Sequence, residues 1–181
     1  MTTRVAGGTD TGPGAAAAGA TGGGATADGN ANGGAGAGNQ NKKPCDKKLT
    51  KADHNRLRNG SPSPEMRDHV NAGGPPRVCP ACGRTLGPGE RFAADHIVPL
   101  KIIKKMPGFP CLTPAQQDNV TNNPLNFVGL CMNCNSSKGS KLWHAWQGHS
   151  QLGLGDPSVR ERGMQMTKAL LIELKGQIRA F

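Results

Sequence analysis

Two cysteine pairs, Cys79-Pro80-Ala81-Cys82 and Cys131-Met132-Asn133-Cys134, carry the clearest chemistry, because a two-residue gap lets both sulfurs face one metal ion. Four thiolates at about 2.3 Å complete a tetrahedron around Zn²⁺ and leave no position for a substrate water, so such a site is structural. Gly83, directly after the first pair, can take the positive φ that a knuckle turn often needs. A thioredoxin-like redox centre is the weaker reading, since no βαβ pattern surrounds either pair. A disulfide framework is the other alternative. No hydrophobic signal segment follows Met1, which favours a reducing cytosol at the time of folding and leaves Cys45 and Cys111 as free thiols.

Between and just after the pairs stand Asp95-His96, Asn126, Asn135 and Lys138. Each alone has a bland reading: an Asp-His pair is commonly a surface or capping pair, and a loop Asn is usually a turn residue. Their order relative to the cysteines gives them weight. The segments from Ala94 through Asp95-His96-Ile97-Val98-Pro99 to Leu100, from Asn126 through Phe127-Val128-Gly129-Leu130 to Cys131, and from Cys134 through Asn135-Ser136-Ser137-Lys138 to Gly139 resemble the HNH (ββα-metal) endonuclease family. The match covers about residues 77–145. The resemblance implies a hairpin whose first strand ends in Asp95-His96, a middle Asn126 on the loop or second strand, and a helix opened by Asn135. It also implies cleavage to 5′-phosphate and 3′-hydroxyl ends, and a zinc staple from Cys79, Cys82, Cys131 and Cys134. The sequence departs from the family name at Asn135, which stands where the last His is expected. Asn offers a hard oxygen suited to Mg²⁺ or Mn²⁺ and less suited to softer metals.

The residue types suit phosphodiester hydrolysis. His96 has an unperturbed pKa near 6.5 and can accept a proton from water at neutral pH. Asp95 and Asn135 supply oxygen ligands to a catalytic divalent ion, and alternation along a strand turns Asp95 away from His96. Asn126 supports the loop that orients His96. Lys138, Lys141 and Arg91 are expected to hold phosphates near the helix start, and Lys101, Lys104 and Lys105 to contact the DNA backbone, with a solvated face as the alternative.

These groups need elements to position them. Residues 1–41 are mostly Gly, Ala, Thr and Asn, with too little apolar surface to offset ordering entropy, and read as a disordered tail or linker. Residues 42–76 read as a basic helical lead-in, with one helix from Leu49 to Arg58 and a second from Ser63 toward Val70. Residues 77–147 are the nuclease core. Within it, Arg91–Val98 and Leu125–Leu130 have strand character, Met106–Pro124 has loop composition, and Asn135–Trp146 reads as a helix. Residues 148–181 form an amphipathic helix that Asp156-Pro157 starts, with Val159, Met166, Leu170, Leu174 and Ile178 as its apolar stripe. Trp143 and Trp146 read as a packing face rather than a base-stacking platform. The fold class is α+β: a ββα-metal core stapled by a four-Cys zinc site, with flanking helices. Only 3% of residues are aromatic and Tyr is absent, so the core needs such a staple.

Charge bears on the partner. Arg4 against Asp10 and Asp28 gives the tail a balance of −1, so of the chain's net +10 residues 42–181 carry +11. A field of that sign favours a polyanion, here DNA. No apolar run is long enough to span a membrane. The expected activity is a Mg²⁺- or Mn²⁺-dependent DNA endonuclease of low sequence specificity, against a non-catalytic zinc-ribbon nucleic-acid binder. A low-complexity leader before a compact basic nuclease further resembles the toxin module of bacterial polymorphic or type VI secretion effectors. That resemblance implies delivery into a target cell by a dedicated secretion system and a small acidic immunity protein as partner. A phage or mobile-element HNH endonuclease is the competing assignment.

Overall fold

The computed structural model describes residues 46–181; the expected tail and Cys45 lie outside them. Helix α1, Lys51–Gly60, starts in a capping box: the Thr50 hydroxyl accepts from the Asp53 amide while the Asp53 carboxylate accepts from the Thr50 amide. Helix α2, Pro64–His69, begins on Ser63 with proline in its first turn, where the missing N–H costs nothing.

A two-stranded antiparallel hairpin lies at the centre. Strand β1, Ala93–His96, pairs with β2, Phe127–Leu130, so that Asp95 opposes Val128 and His96 opposes Phe127. The strand read over 91–98 is shorter because Ile97 and Val98 leave the ladder. The Ile97 amide donates to the Asn126 carbonyl at 2.9 Å, and the Val98 amide donates to Asn126 Oδ1 at 2.7 Å.

The segment expected to be loop from Met106 to Pro124 contains regular structure. After helix α3, Leu100–Ile103, the chain makes a 3₁₀ turn at Phe109–Cys111 and then helix α4, Pro114–Thr121. Thr113 and Gln116 form a second capping box, and Pro114 sits in the first turn. Val120 is the one large apolar residue of α4, too little to make a sequence stripe, so packing and caps hold the helix.

Helix α5, Met132–Lys138, follows β2 after Cys131. It is shorter than the helix read over 135–146, because Gly139 leaves helical geometry with φ +50°. Trp143 opens a separate 3₁₀ turn. Trp143 and Trp146 are buried edge-to-face with centroids 5.5 Å apart, a packing role. Helix α6, Ser158–Ala180, crosses them; its N-cap is Pro157 and not the expected Asp156, which stands one residue earlier and accepts from the Ser158 amide at 2.7 Å. Its buried face is Val159, Gly163, Thr167, Leu170, Leu174 and Ile178; Met166, expected in the stripe, is 39% exposed on the flank. Gly163 replaces it at the contact because only a residue without Cβ fits against the Trp143 ring.

The lead-in is not separate from this core. Leu57 of α1 is buried in one cluster with Val98, Phe109, Val120, Trp146 and Leu174. The described residues therefore form a small α+β unit with the hairpin in its centre and four cysteines at one end. Among them no helix is long and apolar enough to cross a membrane.

Candidate active site and metal centre

The four cysteines expected to act together do converge. Their sulfurs lie within 4.8 Å of one another, and Cys82 Sγ is 3.8 Å from Cys131 Sγ, about the edge of a tetrahedron with 2.3 Å metal–sulfur bonds. The first knuckle closes when the Gly83 amide donates to the Cys79 carbonyl at 2.9 Å, with Gly83 at φ +74°. The second pair comes from the start of α5, where the Cys131 amide also donates to Cys79 Sγ. Burial, aided by hydrogen bonds from Cys131 and Cys82, drives the Cys134 thiol well above the usual thiol range. A buried sulfur of this kind becomes a thiolate only beside a cation, and the donor set fits a metal ion such as zinc. Gly155 packs directly on the knuckle: its amide donates to the Ala81 carbonyl, and a Cβ there would come within 2.7 Å of the Cys82 backbone. Cys111, expected as a free thiol, is instead disulfide-bonded.

At the other end of β1, Asp95 and His96 turn to opposite sides as strand alternation requires. Asp95 is 5% exposed, and its Oδ2 lies 2.6 Å from Lys138 Nζ. Lys138 is fully buried and also donates to the His96 carbonyl at 3.0 Å. This corrects the expected phosphate contact of Lys138: no part of its ammonium reaches the surface, and its charge is spent on β1. Burial raises the Asp95 carboxyl to about 6, with the Lys138 charge pulling the other way, so at neutral pH it is a carboxylate.

His96 faces α4 and the loop after α1. Its Nε2 is 3.1 Å from the Thr121 carbonyl oxygen and 2.9 Å from Ser61 Oγ, and its ring meets Phe127 at 4.4 Å between centroids. A carbonyl can only accept, so Nε2 carries the proton and Nδ1 keeps the lone pair. Burial lowers the imidazole to about 4; the Thr121 carbonyl opposes the shift and the Lys138 charge adds to it. The ring is therefore neutral at physiological pH.

Asn126 is wholly buried and clasps Val98 through both ends of its amide, accepting from the Val98 amide and donating to the Val98 carbonyl at 3.1 Å. Through these two bonds its side chain fixes the exit of β1. Asn135 lies one turn before Lys138 on α5, hence on the same helix face. Asn135 lines the adjoining groove, and Lys138 meets Asp95 through Oδ2. Carboxylate and amide oxygens are donors of the type that suits a hard divalent ion, which takes few protein ligands and fills the rest of its shell with water and substrate phosphate.

Beside Asn135 runs a groove of about 380 Å³ floored by Phe92, Ala93, Ala94 and Met132 and edged by Arg67 and Arg91. Arg91 is exposed and paired with Asp68 at 2.7 Å. Lys141 is exposed and donates to the Ser137 carbonyl at the end of α5. Lys101 and Lys105 are exposed on and just after α3; Lys104 is half-buried, and that burial, with the Arg58 charge nearby, holds it below the usual lysine range.

The chain matches no family model, no curated protein and no solved structure. Its chemistry is therefore read from its own geometry. That geometry adds two contributors with no sequence signal: Ser61, from a Gly60-Ser61-Pro62 turn that looks like ordinary loop, and the Thr121 carbonyl, from a helix that composition hid.

Proposed function

We propose that this chain is an endonuclease of the HNH type that hydrolyses DNA phosphodiester bonds with low sequence specificity. The observation that carries the reading is His96: a neutral imidazole whose Nε2–H is tied to a backbone carbonyl and whose Nδ1 lone pair is left free, next in sequence to an ion-paired carboxylate. A binding module has no use for such a base.

In the hydrolysis, His96 Nδ1 takes a proton from a water molecule as the water oxygen bonds to phosphorus. The bond from phosphorus to the 3′-oxygen breaks, and that oxygen takes a proton from solvent, leaving 3′-hydroxyl and 5′-phosphate ends. The phosphate anion beside the ring raises the imidazole basicity that burial has lowered, toward the range useful for a base. The Thr121 carbonyl accepts from Nε2–H throughout and spreads the positive charge gained by the ring. Lys138 holds Asp95 and the His96 carbonyl, so the strand end keeps its shape as charge develops. Asp95 and Asn135 would hold a divalent ion, Mg²⁺ or Mn²⁺, which supplies Lewis-acid polarisation of the phosphoryl oxygen. Arg67 and Arg91 along the groove beside Asn135 suit a phosphate backbone. The cysteine centre, read as structural zinc, anchors the start of α5 and with it Asn135 and Lys138.

The test is plasmid nicking with Mg²⁺ or Mn²⁺ beside DNA binding at matched salt, for wild type and His96→Ala. Wild type should cut and lose activity in EDTA. His96→Ala should bind DNA normally and cut about 10²–10⁴-fold more slowly. Equal rates for the two proteins would remove His96 as the base and the mechanism with it.

A further inference from the structure

Ser61 has no part in the resemblance that led to His96, and it lies in the lead-in, outside the stretch read as the nuclease core. Yet it is 6% exposed and its Oγ is 2.9 Å from His96 Nε2 and 2.9 Å from the Thr121 carbonyl oxygen. Three polar atoms thus meet with two protons to share. The Thr121 oxygen brings none. If Ser61 gave its proton to Nε2, the ring would carry its own proton on Nδ1 and present a lone pair to the Thr121 oxygen at 3.1 Å, an unfavourable contact. The arrangement that satisfies all three has the Ser61 hydroxyl donating to the Thr121 carbonyl, and Nε2–H donating to the two oxygens together.

The turn that carries Ser61 is itself clamped to α4. Asn122 at the end of α4 donates to the Gly60 carbonyl at 3.1 Å and accepts from the Ser63 amide at 2.9 Å, bracketing Ser61 on both sides. One turn earlier, Arg56 of α1 binds Asp118 and Gln117 of α4. The element that presents the Thr121 carbonyl and the element that presents Ser61 are therefore one rigid seat for the imidazole.

We propose that Ser61 is a positioning residue for His96: by accepting Nε2–H while donating to Thr121, it holds the imidazole in the tautomer that leaves Nδ1 as the proton acceptor. The lead-in helices are on this account part of the active centre. A nucleophilic role for Ser61 is excluded by the same geometry, since its proton goes to a carbonyl and its oxygen faces the protonated nitrogen. The claim about the tautomer stands on the hydrogen bonds alone; its consequence for cleavage rests on the endonuclease reading.

The experiment uses the full chain, purified with its metal and labelled with ¹⁵N-histidine, and reads the His96 tautomer from two-bond proton–nitrogen correlations at neutral pH, beside plasmid nicking. Wild type should show a single neutral form with the proton on Nε2. Ser61→Ala should admit a measurable fraction of the Nδ1–H form and lower kcat by about 10- to 100-fold with KM little changed, while Ser61→Thr should recover the wild-type tautomer. A wild-type His96 protonated on Nδ1 would overturn the proposal without any variant being needed. So would a Ser61→Ala protein that keeps both the single tautomer and the wild-type rate. If the tautomer responds as expected but His96→Ala cuts as fast as wild type, the positioning role stands and the endonuclease mechanism falls.

Discussion

At the scale of single residues, the strongest electrostatic commitment in the described chain is the pair Asp95–Lys138. Both side chains are removed from water, at 5% and 0% exposure, so each ion depends on the other to offset its desolvation. Lys138→Met should therefore leave a carboxylate uncompensated and cost about 3–5 kcal/mol in denaturant unfolding. Removing a surface phosphate contact would instead leave stability within about 0.5 kcal/mol. A Lys138→Met protein that melts like wild type but binds DNA weakly would return Lys138 to the role its position in the motif suggests. The His96 imidazole shows the complementary economy. One nitrogen is satisfied by Thr121 and Ser61 and the other is left over, and that asymmetry makes a buried histidine a candidate base rather than a core residue.

Among the elements, helix α6 illustrates how a contact overrides propensity. Gly163 sits in the helix interior, where alanine would ordinarily gain about 1 kcal/mol. Here an added Cβ would lie 2.3 Å from the ring of Trp143, which is 3% exposed and backed edge-to-face by Trp146. The ring has no room to retreat, so Gly163→Ala should destabilise by about 1–3 kcal/mol despite the better helix former. A raised melting temperature for Gly163→Ala would show that α6 does not pack on the tryptophans as described. Helix α4 makes a related point: its caps at Thr113 and Gln116 and its clamp to α1 give the Thr121 carbonyl a fixed position, although one apolar side chain alone could not have ordered it.

For the molecule as a whole, a core poor in aromatic residues is closed at one end by the cysteine cluster, which joins the 79–82 knuckle to the start of α5. Binding energy at such a site is folding energy. Elemental analysis should find one tightly held metal ion, zinc, per chain. Cys131→Ser should lower the melting temperature together with the activity, because α5 carries Asn135 and Lys138. Well-folded protein that contains no metal would overturn that reading of the cluster. The lead-in, the hairpin and α6 share one hydrophobic cluster instead of forming separable pieces.

The sequence by itself determined the local chemistry. Two-residue gaps between cysteines bring sulfurs together whatever the rest of the chain does, and Asp95, His96, Asn126 and Asn135 could be named from type and order. A capping residue such as Ser63 marked a helix start because that interaction spans only a few residues, whereas Asp156 stands one residue ahead of the N-cap of α6, Pro157. What the chain order could not express was long-range partnership. Lys138 reads as a surface lysine until the fold brings it to Asp95, forty-odd residues away, and buries both. Met166 fits a helical stripe, but Gly163 wins the contact because a tryptophan from another element fills that side. Ser61 and the Thr121 carbonyl carry no motif at all. They become the seat of His96 only when α1 and α4 dock, since a tautomer is chosen by neighbours in space and not by neighbours in sequence.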